Sequence, residues 1–191
     1  MKIILASASP RRREIMDKLN LHYRVIVPNI DETLNQELPL EKQIEDLAYR
    51  KALAVKKNRK DDLVIAADTV VVVNHHILGK PHSLSEARKM MKMLSGKTHK
   101  VITSIAILGQ ESYVDHDVAY VTFNKLNDQE IEDYIQTREP YDKAGGYAIQ
   151  GWASVFIPRM KGSYYTVMGF PLHLVYNRLR ELGLYDHEQE G

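Results

Sequence analysis

Four stretches of the 191-residue chain carry polar side chains where the surrounding pattern calls for apolar ones. Ser7-Ala8-Ser9-Pro10-Arg11-Arg12-Arg13 lies between a strand-like run and a helix-like one. Backbone N–H groups and the positive end of a helix dipole converge at such a junction. Three arginines there are unfavourable by roughly a few tenths of a kcal/mol each unless an anion offsets them. Guanidinium forks match phosphate oxygens, which points to a phosphate. Asp68, in Ala66-Ala67-Asp68-Thr69-Val70-Val71, interrupts the most β-branched run of the chain. A lone carboxylate there is costly unless it is paired, hydrogen-bonded or bound to a metal. Near a strand end it is placed to hold Mg²⁺ and to take a proton from water, with the Thr69 hydroxyl beside it.

The third set is scattered. Asp31-Glu32 follows a short strand and Pro28, Lys51 breaks an apolar helix face, and Lys80 stands between Gly79 and Pro81. Together they supply cations for oxygens and carboxylates for a metal. The fourth is Asp142-Lys143-Ala144-Gly145-Gly146-Tyr147-Ala148-Ile149-Gln150-Gly151, where glycines permit close backbone approach and Gln150 offers an amide edge for a ligand. A second glycine loop, Lys161-Gly162-Ser163-Tyr164-Tyr165, is a candidate to face it. Each set also has a plain alternative: a solvated basic turn, a structural aspartate, exposed charges, a long surface loop.

Other signals fail on spacing. Ser95-Gly96-Lys97-Thr98 ends like a phosphate-binding loop, but the first glycine of that motif falls on Met91. Asp115-His116-Asp117 resembles a metal cluster, yet on a strand His116 points away from the two acids, and a solvated strand is the better reading. The 8 histidines form no HExxH motif and no GxSxG elbow exists. The 11 tyrosines are too scattered to form a base-stacking stripe. Lys+Arg 26 against Asp+Glu 25 leaves a net charge of +1, which argues against a nucleic-acid coat or a membrane-surface binder. Absence of cysteine excludes disulfides, thiolate nucleophiles and thiolate metal sites, and fits a cytoplasmic protein. The longest apolar run, residues 63–73, is too short to span a bilayer, and residues 1–6 are too short for a signal-peptide core.

The elements that must position these groups alternate. Strands are expected at residues 2–6, 23–27, 63–73, 100–108, 113–123 and 153–157. Helices are expected from Ser9-Pro10, at residues 40–57, from Ser83 to Leu94 with Leu84, Ala87, Met91 and Leu94 inward, from Asn127 to about Arg138, and at residues 171–182 before Gly183. Asn74-His75-His76 reads as a hairpin turn and residues 139–151 as irregular. Crossovers combined with a meander predict α/β with a mixed sheet.

Taken in order, Ser7-Ala8-Ser9-Pro10-Arg11-Arg12, Asp31-Glu32, Ala67-Asp68-Thr69-Val70, Gly79-Lys80-Pro81, Ala144–Gly151 and Gly162-Ser163-Tyr164 resemble the Maf family of nucleoside triphosphate pyrophosphatases, over residues 2–183. The resemblance implies one domain over residues 1–184, with a tail at 185–191. Its fold would be an elongated mixed β-sheet flanked by helices, two lobes around a cleft, like the inosine triphosphate pyrophosphatases. It implies a cytoplasmic, homodimeric, divalent-metal-dependent (Mg²⁺ or Mn²⁺) enzyme that cleaves a nucleoside triphosphate between its α and β phosphates. Arg11 and Gln150-Gly151 are similar to the subgroup acting on dTTP, UTP and modified pyrimidine triphosphates.

The implied roles are Asp68 as proton acceptor, and Ser7, Arg11, Arg12, Lys51 and Lys80 as substrate-binding residues. Arg11, Thr69 and Gln150 would set specificity, and Glu32 and Asp68 would hold the metal. Lys161 and Thr166 depart from the family, which commonly has an acid and an asparagine there. The alternative is a nucleotide-binding regulator of cell division with little catalysis. Binding of nucleic acid through Arg11–Arg13 is disfavoured by the balanced charge.

Overall fold

The computed structural model describes residues 1–185. Its centre is a seven-stranded mixed sheet in the order β2-β1-β3-β5-β6-β7, with β4 added on β3. The strands are β1 (Ile3–Leu5), β2 (Tyr23–Val25), β3 (Leu63–Val73), β4 (His76–Leu78), β5 (Thr98–Leu108), β6 (Ser112–Thr122) and β7 (Arg159–Lys161). β1 is parallel to both β2 and β3, with Ile3 opposite Tyr23 and Leu63. β4 returns antiparallel on the far half of β3, Val71 opposite Leu78, through a turn in which Asn74 and His75 take positive φ. β7 closes antiparallel on β6.

Six α-helices accompany the sheet: α1 (Pro10–Asp17), α2 (Leu40–Lys56), α3 (Leu84–Leu94), α4 (Asp128–Ile135), α5 (Tyr164–Met168) and α6 (Leu172–Glu181). α3 starts where the Ser83 hydroxyl accepts from the Glu86 amide, and α4 where Asn127 and Glu130 form a reciprocal capping box. α6 ends with Gly183 N–H donating to the Arg180 carbonyl and Leu184 N–H to that of Leu179. No helix of the described residues is long and apolar enough to cross a membrane.

Contacts divide the described chain into two compact units, each built from separate segments. The first comprises Met1–Asp68, Ser104–His116 and the chain from Gly169 onward. Its core packs α2 (Ala48, Ala52, Val55) on Ile4, Ala6, Val64, Ala66, Ala106 and Leu108. The second comprises Thr69–Thr103 and Asp117–Met168. Its core joins Met91 and Leu94 of α3, Ile131 and Tyr134 of α4, and Val71, Val101, Phe123 and Phe156. Of the expected tail, Tyr185 packs edge-on against Tyr176, and residues 186–191 lie outside the described residues.

Four local expectations are corrected. Residues 153–157 are not a strand: Trp152–Phe156 is a 3-10 turn, and the strand lies further on, at β7. Val155 and Ile157 look like strand formers, but Ala153 and Phe156, three apart, are the buried pair. α4 stops at Ile135, where the Gln136 amide caps it, rather than near Arg138. Leu84 is exposed because it occupies the first helical position of α3, ahead of the stripe of Ala87, Met91 and Leu94. Asp115, His116 and Asp117 are half-buried and paired rather than solvated. The Asp115 carboxylate accepts from the Tyr113 hydroxyl, His116 Nδ1 meets Glu45 Oε1 at 2.7 Å, and Asp117 accepts from the Thr166 hydroxyl.

One buried polar pair makes stability depend on pH. His99 is 1% exposed, meets the Tyr147 hydroxyl through Nε2 at 2.7 Å, and packs edge-on against Phe123 and Tyr147. Burial pushes its pKa down from 6.5 to about 4. The unfolded chain therefore binds more protons between these values, so stability is full above about pH 6.5 and falls as pH drops toward 4. The shift corresponds to about 3 kcal/mol. Urea midpoints measured across that window should decline for the natural chain, and His99→Gln should lose most of the slope. An equal slope in both proteins would remove His99 as its source.

Candidate active site

The first unit gathers six of the expected site residues: Ser7, Arg11, Arg12, Glu32, Lys51 and Asp68. The strand-to-helix junction after β1 is drawn tight by the Ser7 hydroxyl, which is buried and accepts from the Ser9 amide at 3.1 Å. Ser9 stands at the N-cap with Pro10 after it, but its side chain makes no capping bond, and no acid lies in the first turn. The N–H groups and positive dipole of α1 thus share this place with Arg11 and Arg12, both half-buried. Arg12 Nε donates to the Gly169 carbonyl at 2.8 Å, so part of this guanidinium is structural. Burial lowers the Arg12 pKa, Asp68 and Glu32 oppose the shift, and Arg11 adds to it. Those influences put Asp68, Arg11 and Glu32 within electrostatic reach of Arg12.

Their centre is Lys51. It interrupts the apolar stripe of α2 and is only 5% exposed. Its Nζ donates to Asp68 Oδ1 at 2.7 Å and to Glu32 Oε2 at 3.0 Å. The Asp68 residue, on β3, is 8% exposed, whereas Glu32 stands mostly in solvent. Asp68 is therefore a buried carboxyl group paired with an ammonium, the condition under which burying either is tolerable.

Glu32 owes its position to residues that the sequence pattern did not single out. Arg50 Nη1 donates to the Asp31 carbonyl at 2.7 Å and Nη2 to the Thr33 carbonyl at 2.8 Å, while Nε is held by Asp46. Asp31 Oδ1 accepts from the Thr33 amide and hydroxyl, bonds that hold its pKa below the usual carboxylate value. Arg50 thus clamps the two carbonyls flanking Glu32. A basic residue next to Lys51 was the only sequence signal.

Thr69, Lys80 and Gln150 belong to the second unit. Thr69 follows Asp68 on β3 and its hydroxyl lies 3.0 Å from that of Thr103. Lys80 is exposed beside Gly79, whose carbonyl accepts from the Gly145 amide at 3.0 Å. Gly145 has φ +69°, and a Cβ there would lie 2.8 Å from Val71 Cγ2, so both its backbone angle and its space require glycine. Gln150 is exposed, and the chain just beyond it is fixed by Glu139. The Glu139 carboxylate accepts from the Trp152 amide at 2.6 Å, the Ala153 amide at 3.1 Å and the Tyr134 hydroxyl at 3.0 Å. It sits so close that a Cβ on Gly151 would meet it at 2.3 Å. The same Tyr134 hydroxyl reaches the Gly146 carbonyl at 2.9 Å. Glu139 and Tyr134 therefore brace the glycine loop at both ends, a role without a local sequence motif.

The Ser95-Gly96-Lys97-Thr98 run leads out of the C-terminus of α3, and Ser95 Oγ accepts from the Leu126 amide at 2.8 Å. A phosphate loop needs a helix N-terminus, so that rejection stands. Among the described residues no group of three or more His, Asp or Glu side chains forms a metal cage. Asp68 and Glu32 nonetheless direct two carboxylate oxygens at one cation position, occupied by Lys51 Nζ. Hard oxygen donors of this number suit Mg²⁺ or Mn²⁺, which usually take one or two carboxylates and complete their shell with water and substrate phosphates.

A mixed α/β sheet with a buried Lys–Asp pair beside an arginine-rich helix start defines a phosphate-handling enzyme class. A family model described as "Maf-like protein" matches residues 2–182, and the chain belongs to that family. It is 44% identical over 185 residues, 95% of this chain and 97% of the other, to a protein of Desulforamulus reducens named dTTP/UTP pyrophosphatase. It is 40% identical over 184 residues, 96% of each chain, to one of the same name from Bacillus cereus. A solved structure from Mycobacterium abscessus, a nucleoside-triphosphatase/dITP/XTP pyrophosphatase, aligns over 96% of each chain at 15% identity with a TM-score of 0.47.

Replacing Glu139 by Gln keeps the shape and removes the charge facing two backbone amides. Hydrogen bonds to charged groups contribute about 1.5–3 kcal/mol, so Glu139→Gln should lower unfolding free energy by roughly that amount. Faster amide exchange at Trp152 and Ala153 should accompany it. Unchanged exchange there would show that the carboxylate does not hold the turn.

Proposed function

We propose that this chain hydrolyses nucleoside triphosphates between the α and β phosphates, releasing a nucleoside monophosphate and pyrophosphate, with dTTP and UTP as its substrates. The observation that carries the reading is the buried Asp68 carboxylate held by Lys51, with Glu32 and Arg12 within electrostatic reach. The name of the relatives at 40–44% identity over nearly the whole chain supports the substrate class.

In this reading Asp68 takes a proton from the water whose oxygen attacks the α phosphorus. The bond from that phosphorus to the bridging oxygen breaks, and pyrophosphate leaves with the electron pair. Arg11, Arg12, Lys51, Lys80, Ser7 and the first turn of α1 hold the phosphate oxygens and stabilise the charge that builds on the leaving group. Lys51 also holds the Asp68 carboxyl group in place through its 2.7 Å contact. Asp68 and Glu32 would hold a divalent cation, which would supply charge neutralisation on the phosphates. Thr69, Gln150 and Arg11 set preference among bases. A cytoplasmic homodimer, and action on modified pyrimidine triphosphates, complete the proposal on the family resemblance.

The test incubates the pure protein and Asp68→Asn with Mg²⁺ or Mn²⁺ and a panel of nucleoside triphosphates, measuring pyrophosphate and monophosphate. The natural chain should release both from dTTP and UTP. Asp68→Asn should lose on the order of 10²-fold or more in kcat while keeping its circular dichroism spectrum. Near-natural pyrophosphate release by folded Asp68→Asn would sink the assignment. Saturable binding without release by the natural chain would favour a nucleotide sensor. Removal of divalent cations with a chelator should abolish turnover, and Mg²⁺ or Mn²⁺ should restore it.

A further inference from the structure

Thr103, on β5, is fully buried, and so is Thr166, on α5. Thr103 Oγ1 donates to the Thr166 carbonyl at 2.7 Å and lies 3.0 Å from Thr69 Oγ1. The direction of this chain follows from counting protons. A carbonyl only accepts, and a threonine hydroxyl has one proton. The Thr103 proton is therefore committed to Thr166. Its carbonyl, near the C-terminal end of the five-residue α5, needs such a donor because the last carbonyls of a helix lack intrahelical partners. The Thr166 hydroxyl cannot replace it, being bonded to the Asp117 carboxylate. In the remaining contact Thr103 must accept and Thr69 must donate. Once the Thr69 proton is spent, any other polar atom that meets Thr69 Oγ1 has to be a donor.

We infer that Thr103 is a positioning residue that fixes the polarity of the Thr69 hydroxyl, making Thr69 an acceptor for bases that carry a ring N–H. Uracil and thymine present N3–H at their pairing edge, whereas cytosine presents a bare N3 lone pair. An acceptor facing cytosine N3 sets two lone pairs against each other and leaves both unsatisfied, which is how a fixed polar group rejects an analogue. The inference rests on the proposed reading that Thr69 meets the base of a nucleoside triphosphate. It adds the chemical rule of selection and a residue that touches no substrate.

The experiment compares kcat/KM for UTP and CTP in the natural chain, Thr103→Val and Thr103→Ser. The valine removes the acceptor and frees the Thr69 proton, so Thr69 can then donate to cytosine N3. The UTP-over-CTP ratio should fall by about 10-fold or more in Thr103→Val, mainly through a gain with CTP, and should be restored in Thr103→Ser. Loss of packing alone would affect both substrates alike and leave the ratio in place. A folded Thr103→Val with an unchanged ratio overturns the inference.

A second measurement needs no variant. N3-methyl-UTP has no ring N–H, so the natural chain should turn it over at least about 10-fold less efficiently than UTP. Turnover equal to that of UTP overturns the inference even if Thr103→Val does not fold. The two levels of failure are distinct. Absence of pyrophosphate from every triphosphate defeats the proposed function itself, whereas turnover of UTP with ratios indifferent to Thr103 defeats only this step.

Discussion

An ammonium group inside a protein must find negative partners, and Lys51 is the point from which the first unit is organised. Its Nζ takes one oxygen from Asp68 on β3 and one from Glu32 on the loop before α2. Removing Lys51 would leave the Asp68 carboxylate buried without its ammonium, and breaking a buried pair in this way costs about 3–5 kcal/mol. Lys51 shares its helix face with Ala48, Ala52 and Val55, which pack into the apolar cluster on the sheet. The i, i+3 and i+4 spacing of a helix thus ties the charged centre to the hydrophobic core. The carboxylate and its counter-charge are placed by the same packing that holds α2 down.

The second unit solves a different problem, that of fixing a loop with little regular structure. Here the backbone itself is bonded by side chains: Tyr134 to the Gly146 carbonyl, Glu139 to two amides, Thr103 to the Thr166 carbonyl. These contacts outweigh the surface ion pairs nearby. Lys92–Asp128 joins side chains that are more than half exposed, and such pairs contribute about 0–1 kcal/mol. Of the backbone bonds, the Tyr134–Gly146 and Thr103–Thr166 bonds are buried, and the Glu139 bonds lie nearer the surface.

This division explains what the sequence revealed. The span of β3 was legible to the residue because its eleven positions are apolar or β-branched, except for one acid. The same contrast exposed Asp68, and the break in an amphipathic stripe exposed Lys51. Arg50 stayed hidden because it acts on carbonyls, which carry no sequence signature, and because a charge on the outer face of a helix reads as solvated. Thr103 stayed hidden because threonine is an ordinary strand former. The 3-10 turn at Trp152 was misread since the carboxylate that caps it comes from Glu139, thirteen residues upstream. Local pattern finds residues that violate their surroundings. It misses residues whose surroundings are assembled by the fold.

The net charge of +1 acquires meaning at this level. In the first unit Arg11, Arg12 and Lys51 stand against Asp68 and Glu32. Lys51 is shared between two carboxylates, and Arg12 spends one donor on a backbone carbonyl. The cluster therefore has less free positive charge than its three cations suggest. In the proposed reaction a triphosphate brings several negative charges to it, more than the remaining guanidinium donors can balance. In that reading a divalent cation bound with the phosphates would offset part of that deficit and would account for two carboxylates beside the proposed phosphate site. The protein's own charges could then stay nearly balanced, because the metal would arrive with the substrate in place of further cations of the chain.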